Sequence, residues 1–525
     1  MDSGADRSGI PARFRQTARR RGDAVCLWAH DRRWTFGELE RVVSDVAGGL
    51  AALGVAAGDR VGLLVPNGAE FVQTYLGILA AGATVVPLNT LLNPREMDFI
   101  LADAGVGVLV HHQSFTSAAL AIGRDLSVPL CRVCIGDAVD PDVTRFADLI
   151  VRAHPAPALA ADARTDVAVI LYTSGTTGRP KGAMLTHGNL LANTASVAAA
   201  LGFTDQDRLL VVLPMFHAFA ATVGMLTPLL EGASLVPVAR FEPKLVTQAI
   251  ATHGATVFLG VPSMYGVLLR MEDALVRSWS SVRLCVSGGA AMPVALMSAF
   301  ESRFAVPVCE GDGPTECGPV TSVNPPAGPR KPGSIGLPIP GVEMRVKDLD
   351  GRDLADGEMG EICVRGPSVM RGYLGLPEQT RESFFDDWFR TGDLGYRDAD
   401  GYFFLVDRLK DLVITNGMNV YPRVIEESLY ANPEVLEAAV VGDPDPRHGE
   451  VPVAHVVLRP DSAATAATLR VWCRAHLGQH EVPRRILIHA ALPRNAAGKI
   501  LKRELRRTGE YERGVIEQDG AAAAD

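Results

Sequence analysis

Val167-Ala168-Val169-Ile170-Leu171-Tyr172-Thr173-Ser174-Gly175-Thr176-Thr177-Gly178-Arg179-Pro180-Lys181-Gly182 joins an apolar run to a string of small and hydroxyl residues. The apolar run predicts a buried strand, and the string predicts a tight loop at its end. Gly175, Gly178 and Gly182 let the backbone turn sharply and bring amide N–H groups close to an anion. Thr173, Ser174, Thr176 and Thr177 add hydroxyl donors, and Lys181 adds a positive charge. Together these residues make a cradle for a polyphosphate. The string does not match the GxxxxGK[ST] pattern. Taken alone, a Gly/Ser/Thr loop is as easily a solvated connection.

Upstream of this loop, helical patterns alternate with short apolar strands. From Trp34 the sequence WTFGELERVVSDVAGGLAALGV predicts a helix starting after Thr35 and ending at Gly54, with Leu39, Val42, Val43, Val46 and Leu50 on one face. DRVGLLV follows as a buried strand, Pro66-Asn67-Gly68 turns into another helix, and ATVVPLN is a second strand. Such alternation predicts a parallel sheet with helices packed on it. Residues 155–165 are Pro/Ala-rich and read as a surface connection. After about residue 335 the texture changes to short strands separated by Gly/Asp turns, which predicts an antiparallel, barrel-like subdomain. A further unit begins near Asp407, where DRLKDLVIT opens a shorter strand–helix alternation that runs to about residue 507. The polar or small residues from about 509 onward predict a frayed tail.

The chain has 525 residues, enough for more than one domain. A net charge of −9 with no long basic tract argues against nucleic acid or an anionic membrane as partner. Arg19-Arg20-Arg21 reads as the solvated end of a helix. No apolar h-region follows the polar N-terminus, and no apolar run reaches the ~18 residues a membrane span needs. Eight scattered cysteines do not make a disulfide framework. Cys131 and Cys134 form a CxxC pair with no second pair to complete a zinc site, and read as two residues of a strand. A reducing, cytoplasmic setting is the expectation.

Thr173–Gly182 resembles the signature phosphate loop of the adenylate-forming superfamily, which includes acyl-CoA synthetases, aryl-CoA ligases, firefly luciferases and nonribosomal-peptide adenylation domains. The resemblance recurs in order from about Trp34 to Lys499. Pro214-Met215-Phe216-His217 is similar to the family's PxFH segment near the acyl pocket. His217 stands where amino-acid-activating relatives commonly have Asp, which argues against an amino-acid substrate. Ser287-Gly288-Gly289-Ala290 is similar to the turn that borders adenine and the acyl group. Gly311-Asp312-Gly313-Pro314-Thr315-Glu316 resembles the YGxTE motif. The resemblance implies that Thr315 contacts the α-phosphate and that Glu316 holds Mg²⁺, a hard cation that prefers oxygen ligands. Asp312 departs from the pattern, standing in place of the aromatic residue that stacks on adenine. Arg390-Thr391-Gly392-Asp393 matches RTGD and implies a ribose contact for Asp393. Arg408 resembles the second ribose contact, and Lys410 the hinge position. Gly417-Met418-Asn419-Val420-Tyr421-Pro422 resembles the loop that lines the pantetheine tunnel, while Pro422 also suits a helix start. Pro493–Lys499 resembles the PxxxxGK motif, with Lys499 as the catalytic lysine.

The resemblance implies an α/β chain. A large N-terminal domain (1–406) of parallel sheets packed with helices, including the small β-barrel-like subdomain, would be followed by a hinge (407–411) and a small mobile α+β C-terminal domain (412–525). It also implies a reaction: ATP activates a carboxylic acid as acyl-AMP, pyrophosphate leaves, and the acyl group passes to coenzyme A. Anion attacks anion in the first step, so positive charge and oriented donors are required, and no GxSxG elbow is present. The implied catalytic group is Lys499, Thr315, Glu316, His217 and Lys181. The sequence leaves other acceptors open, namely a carrier-protein phosphopantetheine or, given Asp312, nitrite activated to diazotise an aryl amine. It also leaves open a non-catalytic nucleotide-binding relative, and both a monomer and a homodimer. HAFAATVG and GVPSMYG predict an apolar acyl pocket for an aliphatic or aryl acid.

Overall fold

The computed structural model of the chain describes residues 8–29, 32–124, 126, 129–137, 140–151, 156–157, 161–173, 179–460, 462–494 and 498–506. Two parallel sheets form its bulk. In the first, the six strands Val308–Asp312, Leu284–Ser287, Val257–Gly260, Arg208–Val211, Ser234–Pro237 and Val25–Ala29 run parallel in that spatial order, with short antiparallel strands on both edges. In the second, Val167–Thr173, Thr84–Pro87, Arg60–Leu64, Val106–His112, Cys131–Ile135 and Thr144–Arg145 are parallel. Lys181–Thr186 returns antiparallel to Val167–Thr173, so the phosphate-loop string connects two adjacent strands.

The predicted helices form where their caps allow. Thr35 and Glu38 make a reciprocal capping box at the start of helix Phe36–Ala52, the Thr35 hydroxyl accepting from the Glu38 amide at 3.2 Å and the Glu38 carboxylate from the Thr35 amide at 2.8 Å. Helix Pro94–Ala104 has the same device in Asn93 and Glu96, and ends at Gly105 in a left-handed conformation. The helix expected after Pro66-Asn67-Gly68 is Ala69–Ala80, buried between layers at every residue but Glu70. Cys131 and Cys134 lie on one strand, as expected, and all eight cysteines are free thiols.

The region after residue 335 is the expected antiparallel unit. Strands Glu343–Lys347, Gly360–Arg365, Trp388–Arg397 and Phe384–Phe385 pair in that order, and Phe403–Arg408 adds to Trp388–Arg397. A fourth, mixed sheet follows. Met418–Val420, Val413–Thr415, Gly449–Leu458 and Val435–Asp445 are antiparallel neighbours, and Arg485–Ile488 joins Gly449–Leu458 in parallel. Helices Pro422–Tyr430 and Ala466–His476 cover it. One apolar core runs through the first three sheets. The fourth sheet has its own cores, one around Val440, Val456 and Leu469 and a smaller one around Val441 and Leu505.

One element was not foreseen. Residues Ala220–Leu226 form a π-helix that runs directly into helix Thr227–Glu231. A wide turn of this kind marks functional sites in other proteins. Here a Cβ on Gly224 would lie 2.9 Å from a Val211 methyl, so glycine permits the segment to lie tight against the first sheet. Among the described residues no helix is long and apolar enough to cross a membrane.

Candidate active site

The site lies at the carboxyl ends of two neighbouring parallel strands of the first sheet, where ligands gather in open α/β sheets. Strand Leu284–Ser287 runs into Gly288-Gly289-Ala290, and strand Val308–Asp312 into Gly313, Pro314 and the short 3-10 turn Thr315–Cys317. Gly313 and Gly289 are constrained to glycine. A Cβ on Gly313 would sit 2.0 Å from the Pro319 carbonyl oxygen, and Gly289 has φ +77°. A Cβ on Gly288 would touch the Phe219 ring at 3.4 Å. Between these turns and the π-helix is a cavity of about 50 Å³. Its floor is apolar: Leu201, Phe219, Val223, Val286, Val320 and Val323. His217, Asp312 and Thr315 stand on its wall, and among the described residues no lysine or arginine lines it.

The phosphate side is built by convergence of distant strands. Thr173, at the end of its strand, donates its hydroxyl to Glu316 Oε1 at 3.2 Å, and Tyr373 donates to the same oxygen at 2.9 Å. Lys181 Nζ lies 5.1 Å above the centre of the Tyr373 ring. Glu316, Thr173 and Lys181 are therefore gathered as expected. Ser174, Gly175, Thr176, Thr177 and Gly178 lie outside the described residues. Tyr373 carries no recognisable signal in the sequence. It arrives because Gly372–Tyr373 pairs antiparallel with Lys181–Thr186.

The ribose candidates face each other across a strand pair. Asp393 and Arg408 are register partners, with Asp393 Oδ1 3.1 Å from Arg408 Nε. Asp393 is 5% exposed, and its Oδ1 accepts no hydrogen bond among the described residues. A buried carboxylate oxygen short of donors suits a sugar hydroxyl. Lys499 stands in the field of Arg408, Lys410, Asp393 and Asp312. Its pKa is pushed down to about 7, first by the Arg408 guanidinium and then by burial, with Lys410 adding to the effect and the two carboxylates opposing it. Asp312 is raised above the ordinary carboxylate range, by burial first and by Asp393 next. His217 is pushed down to about 4 by burial and by Lys499. It is a neutral imidazole at physiological pH, and its Nδ1 accepts the Phe219 amide at 3.4 Å. The tip that carries Lys499 packs against the wall of the site: a Cβ on Gly498 would meet Val261 at 3.2 Å and Ser263 at 3.4 Å.

Gly417 is not part of this cluster. It forms the turn between Val413–Thr415 and Met418–Val420 at φ +77°, with nothing within 4 Å of a Cβ built there. Pro422 opens helix Pro422–Tyr430, as its second reading predicted. Lys410 and Ala290 are exposed. Glu310, two residues before Asp312, was missed by sequence reasoning. It is buried, holds the Met292 amide at 2.8 Å, and has its pKa pushed up to about 8, chiefly by burial.

Comparison with known proteins agrees with this geometry. The AMP-binding enzyme family model matches residues 14–374, and the AMP-binding enzyme C-terminal domain model matches residues 424–499. Over 476 residues the chain is 40% identical to a feruloyl-CoA synthase of an Amycolatopsis species, covering 90% of this chain and 93% of that one. It is 34% identical to a long-chain-fatty-acid–CoA ligase of Bacillus subtilis over 519 residues, covering 93% and 92%. A crystal structure of an anthranilate CoA ligase with anthranoyl-AMP superposes with a TM-score of 0.89 at 31% identity, covering 96% of this chain and 98% of that one. The chain belongs to the AMP-binding enzyme family, the adenylate-forming ligases. Within it the chain is an acid–thiol ligase of the acyl-CoA synthetase type: it activates a carboxylic acid with ATP as acyl-AMP and transfers the acyl group to coenzyme A.

Proposed function

We propose that the acid is a compact, apolar monocarboxylate, and that Lys499, Lys181, Thr315, Glu316 and His217 carry its adenylation. The observation that carries the substrate reading is the cavity of about 50 Å³ with an apolar floor and, among the described residues, no cationic side chain. A cavity of ~150 Å³ admits benzene, so this one suits a short or branched aliphatic acid before any ring. A second carboxylate would be buried there without a partner, at a cost of several kcal/mol. Rotation of Phe219 away from Gly288 is the simplest way to admit a larger aryl acid.

The residue roles follow from chemistry. The acid's carboxylate attacks the α-phosphorus and pyrophosphate departs, so negative charge must be balanced where it gathers. Lys181 holds the outer phosphates. Lys499 bridges the attacking carboxylate and the α-phosphoryl oxygens. With Nδ1 accepting from the backbone, neutral His217 carries its proton on Nε2 and donates there. Thr315 donates to the α-phosphate. Asp393 takes the ribose hydroxyls and Arg408 supports it. The surroundings of Glu316 fit Mg²⁺: the donors on hand are oxygens, and no group of three or more metal-ligating side chains occurs among the described residues. That cation binds through one or two carboxylates plus substrate phosphates. Bound there, Mg²⁺ would neutralise phosphate oxygens.

For the second step the thiol must reach the acyl-AMP carbonyl. We propose that 412–525 pivots on 407–411 against 1–406, withdrawing Lys499 and bringing the Gly417 turn to the site. Separate cores support this reading, as does the place of Gly417 outside the residues that line the cavity. Eight free thiols support a reducing compartment, the cytoplasm.

The test is ATP–pyrophosphate exchange over a graded set: acetate, propionate, isobutyrate, hexanoate, benzoate, cinnamate, malonate and palmitate, each followed by thioester formation with coenzyme A. The expected result is a maximum among the short and branched acids and no turnover of malonate. A preference for malonate or palmitate would overturn the substrate reading.

A further inference from the structure

Lys499 directly precedes the bridged residue of a short antiparallel pair. Arg494 and Ile500 form an antiparallel bridge, and the Leu501 amide donates to the Pro493 carbonyl at 2.8 Å. Arg494 spans the turn, donating to the Gly498 carbonyl at 2.5 Å while pairing with Glu437 at 2.8 Å. A hairpin this small does not hold its shape in water without further support. A lysine that must meet the reacting oxygens therefore needs anchors beyond its own turn.

Two such anchors lie just after it. Lys502 Nζ sits 2.8 Å from Glu426 Oε1 on helix Pro422–Tyr430. The same oxygen accepts the Val440 amide at 2.7 Å, so the carboxylate is itself fixed to the fourth sheet. Burial opposes the charge on Lys502, but Glu426 and then Asp407 outweigh it and raise its pKa. Asp407 in turn accepts the Arg408 and Arg423 amides at 2.8 and 2.9 Å. Arg506 reaches the pivot itself. Its Nη2 lies 3.1 Å from Asp411 Oδ1 and donates to the Lys410 carbonyl at 3.3 Å. Between the two cations, Leu505 is buried against Ala439, Val441 and Leu492. The segment leaving Lys499 is thus pinned by charge at both ends and by an apolar side chain in the middle.

We propose that Lys502 and Arg506 are positioning residues for adenylation: they fasten the Lys499 hairpin to Glu426 and to the 407–411 segment, so that the lysine enters and leaves the site as one piece with the pivot. This rests on the assignment of Lys499 above. Neither residue touches substrate. Both pairs are partly buried, so removing one partner also lowers stability, a cost separate from their effect on position. Their effect is on where the hairpin tip stands, and displacement of a reacting group by about 1 Å costs on the order of 10²-fold in rate.

The experiment compares Lys502→Ala, Arg506→Ala, the conservative Lys502→Arg and Arg506→Lys, and Lys499→Ala as benchmark, in the full chain. Single-turnover acyl-AMP formation is measured first, then thioester formation from supplied acyl-AMP and coenzyme A, with Tm alongside. Both alanine variants should slow acyl-AMP formation by about 10- to 100-fold. KM for ATP and the thioester step should stay within about threefold, and the conservative variants should recover most of the loss, because both keep the charge. A parallel fall of both steps with Tm would mean that the pairs only stabilise the unit, and would overturn the proposal. So would unchanged acyl-AMP formation in both alanine variants while Lys499→Ala abolishes it. Acyl-AMP formation left intact by Lys499→Ala would instead remove the assignment of Lys499 on which the proposal stands.

Discussion

Lys499 has its pKa pushed down to about 7, with Arg408 the largest cause and burial next. The bridging role proposed for it needs the ammonium, so the active form would be lost as pH rises through that value. The kcat/KM for ATP, which reports the free enzyme, should fall on the alkaline side from about pH 7. The kcat limb should lie higher, because a bound triphosphate favours the charged lysine. Lys499→Arg, which keeps its charge to much higher pH, should lack the limb in a pH–rate profile of pyrophosphate exchange. Asp312 gives a second prediction. It offers no stacking face to a base and sets a carboxylate close to Asp393. Asp312→Tyr should lower KM for ATP about five- to tenfold, the weaker end of the ~1–3 kcal/mol that a base–aromatic stack contributes; an unchanged or raised KM would contradict the reading. Most site residues were legible because they sit in ordered local strings, such as Thr315-Glu316 and Arg390–Asp393. Tyr373 and Glu310 were not, since the first reaches Glu316 only through strand pairing and the second matters through burial.

Among the elements, the parallel sheets and capped helices were readable from period and caps, because burial on both faces writes continuous apolar runs into the chain. The π-helix Ala220–Leu226 was not, since its spacing is set by packing of Gly224 on Val211 rather than by local propensity. The turn after strand Leu284–Ser287 leans on Glu310, which holds the Met292 amide at the approach to helix Val294–Phe304. Burial pushes this carboxyl up to about 8 from 4.5. The folded state therefore keeps a proton that the unfolded chain releases, and stability falls as pH rises between those values. Glu310→Gln should leave Tm nearly unchanged at pH 5 and raise it at pH 8; an equal shift at both would contradict the account. The proposed pivot belongs to this scale too. Lys410→Pro fixes φ there and restrains Leu409. It should slow thioester formation more than acyl-AMP formation in stopped flow, and the reverse would argue against a pivot at this position.

At the scale of the whole molecule, the chain brings two separately cored bodies together over one cavity. The sequence itself shows a change of texture after about residue 335 and the start of a new unit near Asp407. The meeting of Gly498 with Val261 and Ser263 was not announced, since it joins residues with no local relation. If 412–525 pivots as proposed, the molecule's two steps should depend on different faces of that body. The most direct measurement is single-turnover kinetics of Lys499→Ala on the best acid. Acyl-AMP formation should fall by roughly 10²–10³, while thioester formation from supplied acyl-AMP should stay close to the wild-type rate. An equal loss in both steps, or none in the first, would contradict the role proposed for Lys499.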